Sequence, residues 1–337
     1  MPDRSVFSWS NIGVLLAGGL AAAAVFAVLF QQTLPGLLLA HFAPLPIMIV
    51  ALGFGLRHGW SSAIVATALT SLLIQPQIGF GFAFLVAAPA MLACWTASGA
   101  PWGGRDLLTA HLPGWACFAA AAMLALAIAA ALAAATVQAG SLDAALNPYQ
   151  ARIFILLEQL GNSPDFPAEM KEHFDPKTQA VMISHTMPAL LGFYVLLIQM
   201  LNLWVSARLA RLSGLLTKPW PDIAREFVLP RAAALVFGVG LAFSFFEGLA
   251  GAVGLVVVST LGLALALQGF AVTHELVRGS KSGAVALSVL YFVTGLLVLP
   301  LGGLPLALFA LLGVGDAVFS WRARRLAAAV RNSARSP

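Results

Sequence analysis

Charge is what this chain has least of. Only 9% of its 337 residues are Asp, Glu, Lys or Arg, and 60% are hydrophobic, whereas soluble domains carry about 25% charged residues. That excludes a water-soluble globule, because there is too little polar surface to wrap one. Cysteine is equally scarce. Cys94 and Cys117 both fall inside apolar runs without metal-ligand spacing, and they read as small core or lipid-facing residues rather than a disulfide. Catalytic motifs are missing as well. His274-Glu275-Leu-Val-Arg does not complete the HExxH zinc pattern, the Gly-rich loop from Ser98 lacks the lysine of a nucleotide cradle, and there is no P-loop, GxSxG elbow or paired acidic magnesium motif. No enzyme, cofactor or metal is therefore expected. A formal charge of +5 is compatible with nucleic-acid binding, but the basic residues sit at the ends of apolar runs. That is the pattern of membrane topology, so nucleic acid is not an expected partner.

What the chain has in abundance is apolar sequence. A membrane span needs roughly 20 apolar residues at 1.5 Å rise each, and by that measure ten runs are candidates, some of them shorter than this, five on each side of one long polar interval. They cover 10–30, 35–54, 60–74, 78–95 and 112–138, then 186–207, 231–246, 249–272, 283–299 and 304–321. The first run is longer than a signal-peptide core and has no small-residue cleavage site, so it reads as an uncleaved transmembrane helix. The third and fourth are short and separated only by Gln75-Pro76-Gln77, which leaves open a single kinked or re-entrant element. The expected fold is an all-α polytopic transmembrane bundle of about ten helices.

The charges test that count. With the N-terminus in the cytoplasm, the cytoplasmic pieces hold 15 of the 18 Lys and Arg residues, including Arg4, Arg57, Arg105 and the clusters after residues 207, 277 and 321. The other three, Arg152, Lys171 and Lys177, lie in the long interval. Positive-inside insertion produces such a bias, so both termini are expected in the cytoplasm. The organisation is then a membrane half over 1–140, an extracytoplasmic segment over 141–185, a second membrane half over 186–322 and a basic tail over 323–337.

The long interval carries six acidic residues against its three basic ones. Within it, Ile153, Leu156, Leu157 and Leu160 fall at helical spacing, which predicts a short amphipathic helix. It is either a lid over a cavity or a passive interfacial cap. A second interfacial helix is expected after Pro221-Asp222, ending at Pro230, with Trp220 as a headgroup-level anchor. The tail holds five Arg from Arg322 onward and no acid, which suits anionic lipid on the inner surface.

Helices in lipid associate largely through close backbone approach at small residues. Gly13, Ala17, Ala21 and Ala24 form such a stripe on the first helix, and Gly248, Gly251 and Gly254 a second. Each stripe serves either packing within the bundle or docking of a partner membrane protein. Charges at membrane depth are costly, and few occur: Glu247, His274 and Asp316 are the candidate proton or substrate-binding groups. The alternative is that each is satisfied locally at a helix end. Gln75, Gln77 and Asn202 are ambiguous in the same way.

Three stretches, Arg225-Glu-Phe-Val-Leu-Pro-Arg231, Gln268-Gly-Phe-Ala-Val-Thr-His274 and Gly315-Asp-Ala-Val-Phe-Ser-Trp-Arg322, resemble signatures of the DUF2232, or YybS-like, family of bacterial inner-membrane proteins. The segment from Phe42 to Gly59 looks like the second-to-third-helix region of the S components of energy-coupling-factor vitamin transporters. In those proteins two alanines four apart on the first helix dock the coupling subunit, and Ala17 and Ala21 resemble that arrangement. The resemblance implies a multi-pass protein of the bacterial inner membrane that binds and helps transport a small molecule. The scarcity of buried charge makes an apolar one the expectation. A non-transporting scaffold that assembles other membrane proteins is the alternative, and a membrane-embedded lipid enzyme a third. The expected partners are membrane lipid and either a small-molecule ligand or another membrane protein.

Overall fold

Each of the ten apolar runs folds as helix. The computed structural model describes residues 9–98, 112–164, 166–171, 174–216, 221–325 and 331. Arg4, Arg105, the loop from Gly99 to Gly104, Trp220 and nearly all of the tail after Arg325 lie outside the described residues.

The first membrane half runs α1 (Trp9–Ala27), α2 (Leu34–Ala40), α3 (Pro44–Phe54), α4 (Leu56–Leu73), α5 (Pro76–Phe82), α6 (Ala88–Ala97) and α7 (Leu112–Ala139). The polar interval contributes α8 (Leu142–Gly161) and the single turn α9 (Ala168–Lys171). The second half adds α10 (Pro176–Leu212), α11 (Ile223–Glu226), α12 (Arg231–Phe243), α13 (Gly248–Val277), α14 (Gly283–Leu301) and α15 (Leu304–Phe319). Among the described residues, six helical stretches are long and apolar enough to cross a membrane, while α12, α14 and α15 are shorter apolar helices. The chain is thus an all-α, polytopic helical membrane bundle.

Local chemistry sets the breaks. Pro44 and Pro46 cannot donate, so the second run divides into α2 and α3 at a turn over 41–43. Thr33 caps α2 by accepting the Gly36 N–H at 3.2 Å. Gly55, at φ +107°, makes the reversal into α4, a conformation that a side chain would strain. The third and fourth runs are separate helices, and the fourth continues from α5 into α6 through a π-helical turn, Ala83–Ala87.

Two expectations about boundaries change. α10 starts at Pro176, ten residues before the expected Thr186, and its 37 residues extend roughly 55 Å, well beyond a bilayer's hydrocarbon. Asp175 makes this early start by capping the Lys177 and Thr178 N–H groups at 3.1 and 3.3 Å. The amphipathic helix of the interval also begins earlier than expected, where Ser141 caps Ala144 at 3.1 Å. It packs on α7, α10 and α13 with Leu142 and Leu146 buried, and Asp143 meets His185 of α10 at 2.9 Å.

α13 is the axis of the bundle. It packs against α7, α10, α11, α12, α14 and α15, and α7 and α10 in turn tie it to α3, α6 and α8. Being apolar on every face, it is built to be surrounded. Two glycines bring α15 against it. A Cβ on Gly269 would collide with the Phe309 carbonyl, and one on Gly313 with the Leu265 carbonyl, so the two backbones touch. Gly251 and Gly254 pack in the same way against the turn that follows α12, whereas nothing approaches Gly248. On α1 the packed face is Gly18, Gly19, Ala22 and Ala23, set against Val50, Ser62 and Val65. The stripe of Gly13, Ala17, Ala21 and Ala24 is instead exposed, so it takes no part in packing among the described residues.

A candidate site at the arginine-rich end of the bundle

The three signature stretches meet at one place. They come from the strap between α10 and α12, the last turns of α13, and the end of α15. All three lie at the end of the bundle that carries the arginines.

α15 stops where Ser320 adopts a left-handed conformation, φ +55°, and donates its N–H to the Asp316 carbonyl at 2.8 Å. The chain doubles back into a short helical turn over 321–325, and this reversal returns Arg322 to Asp316. The Arg322 N–H donates to Asp316 Oδ1 at 3.1 Å, and Nε and Nη2 donate to Oδ2 at 2.9 and 2.6 Å. Gln268 of α13 donates from Nε2 to the same Oδ2 at 2.8 Å, while its Oε1 accepts the Leu229 N–H at 3.0 Å. The remaining guanidinium N–H groups reach the strap, Nη1 to the Ala224 carbonyl and Nη2 to the Phe227 carbonyl, both at 2.7 Å. Gly315 completes the fold-back, since only a residue without a side chain leaves room for the Trp321 indole.

Asp316 is 2% exposed and Arg322 5%. A buried ion pair gives little net stability, because desolvation offsets the attraction; what it gives is a severe cost if one partner is lost. The geometry therefore reads as a clasp joining α13, α15, the strap and the start of the tail. Asp316 was expected as a substrate-binding group, and its two oxygens are filled by four protein donors.

The strap differs from the interfacial helix expected there. Asp222 accepts the Ala224 N–H at 3.1 Å and Glu226 accepts the Asp222 N–H at 3.2 Å, so the cap is reciprocal. The helix lasts a single turn, Ile223–Glu226. Phe227 and Leu229 then enter the core, 7% and 2% exposed, because the clasp holds the backbone inward. Gly114 of α7 takes the Val228 backbone from the other side. Outside the clasp lies a ring of charge in which the arginines are exposed and the carboxylates half-buried. Arg225 Nε meets Glu275 at 3.1 Å, Arg278 Nε meets Glu275 at 2.7 Å, and Arg278 Nη2 meets Asp222 at 2.8 Å.

Two cavities flank the strap. One, of about 440 Å³, is bounded by α10, α13, the start of α7 and the strap, through residues including Met200, Trp204, Phe227, Leu267, Phe270 and His274. The other, of about 360 Å³, is lined by Arg225, Arg278, Arg322, Arg325 and Glu275, with Val272, Leu276, Leu312 and Trp321. His274 belongs to the first, with its ring 5.6 Å from that of Tyr291, which also meets Phe270 at 5.5 Å. Glu247 is elsewhere. It precedes α13 and is exposed at the far end, 27 residues from His274 and so roughly 40 Å along the helix. The structure thus sets His274 and Asp316 on two sides of one strap and separates Glu247 from both.

A second polar locus joins Asn202, ambiguous from the sequence, to Gln199, which the sequence did not single out. Gln199 and Asn202 of α10 are 1% and 0% exposed. Gln199 Nε2 donates to the Leu85 and Val86 carbonyls at 3.2 and 2.9 Å, inside the π-helical turn. Asn202 Nδ2 donates to the His41 carbonyl at 2.8 Å, where α2 gives way to α3. These amides satisfy carbonyls freed by irregular helix, which lipid cannot do. Their own oxygens, Gln199 Oε1 and Asn202 Oδ1, have no protein donor among the described residues. The available signal was two amides three residues apart in an apolar helix. Among the described residues no group of three or more His, Cys, Asp or Glu side chains could hold a metal ion.

The family comparison falls on this same assembly. The family model described as "Predicted membrane protein (DUF2232)" matches residues 21–317, which takes in the strap, Gln268 and Asp316. No curated protein matches the chain, and no solved structure does. The match spans well over half of the sequence, and the chain belongs to the DUF2232 family of membrane proteins.

Proposed function

We propose that this protein binds a small, largely apolar molecule in the groove beside His274 and helps carry it across the bacterial inner membrane. The observation that carries this reading is the cavity itself. At about 440 Å³ it is walled by aliphatic and aromatic side chains, with His274 as its polar group. Small-molecule sites have this character, with volumes of about 300–1,000 Å³ and few polar groups in an apolar lining. One wall is the strap, through Ile223, Ala224 and Phe227, and the carbonyls of Ala224 and Phe227 are those that Arg322 holds. Groove and clasp are therefore mechanically linked, and a shift of the strap changes the shape of the site. The only buried ion pair among the described residues is already saturated, which disfavours a multiply charged cargo.

The reading is tested by photolabelling in native membranes with a small neutral diazirine. Adducts concentrated on Met200, Trp204 and Phe270, and lost when Ala271→Trp fills the groove, are expected. Labelling spread evenly over the lipid-facing helices, and unchanged in that variant, contradicts it.

One observation favours a second reading, a scaffold for other membrane proteins. The stripe of Gly13, Ala17, Ala21 and Ala24 is exposed, and close helix packing uses such surfaces. A stoichiometric membrane-protein partner released by Ala17→Leu and Ala21→Leu, from a chain whose groove is empty, would replace the binding reading with this one.

A further inference from the structure

The second cavity, on the other side of the strap, has the opposite chemistry. It is lined by Arg225, Arg278, Arg322 and Arg325 against Glu275 alone. Asp222 and Asp316 stand behind that lining, so the full account is four guanidinium groups and three carboxylates. Pairing decides what remains available. Asp316 is filled by Arg322 and Gln268. Glu275 accepts from Arg225 Nε and Arg278 Nε. Asp222 accepts from Arg278 and the Ala224 N–H. Every carboxylate is engaged, whereas Arg225 donates to Glu275 through Nε and not through its Nη groups, and the exposed Arg325 forms no ion pair among the described residues.

The walls are ordered as well. Val272, Leu276 and Leu312 form the apolar side, and Trp321 stands at the rim, 44% exposed and stacked on Phe319. Along α13, Val272 lies nearer the middle of the bundle than Glu275 does, and along α15 Leu312 lies about one turn before Asp316, to which Arg322 returns. The polar groups therefore face the aqueous end and the apolar wall faces the membrane. Trp at headgroup level and paired guanidinium groups are how proteins meet a phosphate at a bilayer surface.

We propose that this cavity binds a phosphate-bearing anion at the arginine-rich surface, its guanidinium groups taking the phosphate oxygens. The source is either the headgroup of an anionic phospholipid or a soluble phosphate ester, and the apolar wall beneath favours the lipid. This site is separate from the groove beside His274 and stands whether or not that groove binds a cargo.

The test compares the wild type with Arg325→Gln, Arg225→Gln and the control Arg152→Gln, which removes the same charge from the exposed far end. Bound lipid is counted by native mass spectrometry in neutral detergent with phosphatidylglycerol or phosphatidylcholine at equal mole fraction. Inorganic phosphate is titrated separately by calorimetry. Preferential retention of phosphatidylglycerol, weakened roughly fivefold by each cavity variant and unchanged by the control, establishes the site and names a lipid phosphate. Saturable inorganic phosphate binding lost in Arg325→Gln, without lipid preference, establishes it for a soluble phosphate. Equal retention of both lipids with no phosphate binding overturns the proposal. So does a preference that survives both cavity variants, or one weakened equally by Arg152→Gln. Arg325 is exposed and has no ion pair or side-chain hydrogen bond among the described residues, so its variant separates loss of binding from loss of structure.

Discussion

Arg322 lies six residues beyond Asp316 and returns to it with three hydrogen bonds, two of them from the guanidinium at 2.6 and 2.9 Å. The left-handed Ser320 makes the return, Gly315 leaves room for it, and Gln268 ties it to the central helix. One residue of the tail thereby fixes the strap that forms a wall of the apolar groove.

Removing one partner of this pair leaves a buried charge uncompensated, which costs about 3–5 kcal/mol. Arg322→Met or Asp316→Leu alone is therefore expected to be severely destabilising in thermal unfolding in detergent. The double variant should recover a large part of that loss, because the charge and its partner disappear together. Additive losses would show that the two residues do not act as a pair.

The contact between α13 and α15 is backbone to backbone at Gly269 and Gly313. Gly313→Ala is expected to force the helices apart at a cost of about 1–3 kcal/mol, the usual range for overpacking. Gly238→Ala and Gly295→Ala, in open surroundings, should be neutral or stabilising, because alanine is the better helix former by about 1 kcal/mol. Unfolding midpoints of the three variants decide this, and equal effects would refute the close approach.

Gln199→Leu withdraws the donor from two carbonyls of the π-helical turn. Side-chain hydrogen bonds between membrane helices average about 0.6 kcal/mol and reach about 1.7, so a loss near 1 kcal/mol is expected, again by thermal unfolding. Hydrogen exchange should show the opening concentrated at Ala83–Ala87.

At the start of α10, hydrogen bonding from Thr178 holds the Asp175 carboxyl below its ordinary value of 3.8, helped by the backbone N–H groups of Lys177 and Thr178 and the Lys177 charge. A carboxyl depressed in the folded state stabilises the helix end above the ordinary value, and that support is lost as pH falls through the depressed one. Protection of the Lys177–Gln179 amides, corrected for intrinsic exchange, should therefore fall on acidification below about pH 4. Asp175→Asn should abolish that pH dependence; an unchanged profile would assign it to another group.

The helical membrane bundle was legible because apolar length and the placement of arginine are written locally. The strap was legible as a helix start, since Pro221-Asp222 is a local capping signal. Its inward path was not, because that depends on Arg322 almost a hundred residues later. The orientation of α1 was hidden for a related reason. Gly13, Ala17, Ala21 and Ala24 and the packed Gly18, Gly19, Ala22 and Ala23 are both smooth, and only the position of Ser62 and Val65 on α4 chooses between them. Of the three candidate site residues, two lie beside one strap and Glu247 at the other end of a 30-residue helix. Hydropathy shows that a charge is near a helix end but not which groups share that end.

The measurement that bears most directly on the account is native mass spectrometry of the protein gently extracted from its own membrane, comparing the wild type with Ala271→Trp. A defined small, neutral molecule, retained at one per chain by the wild type and absent from the variant, is expected. A wild-type protein that emerges with its groove empty, or that retains the same molecule after the groove is filled, contradicts it.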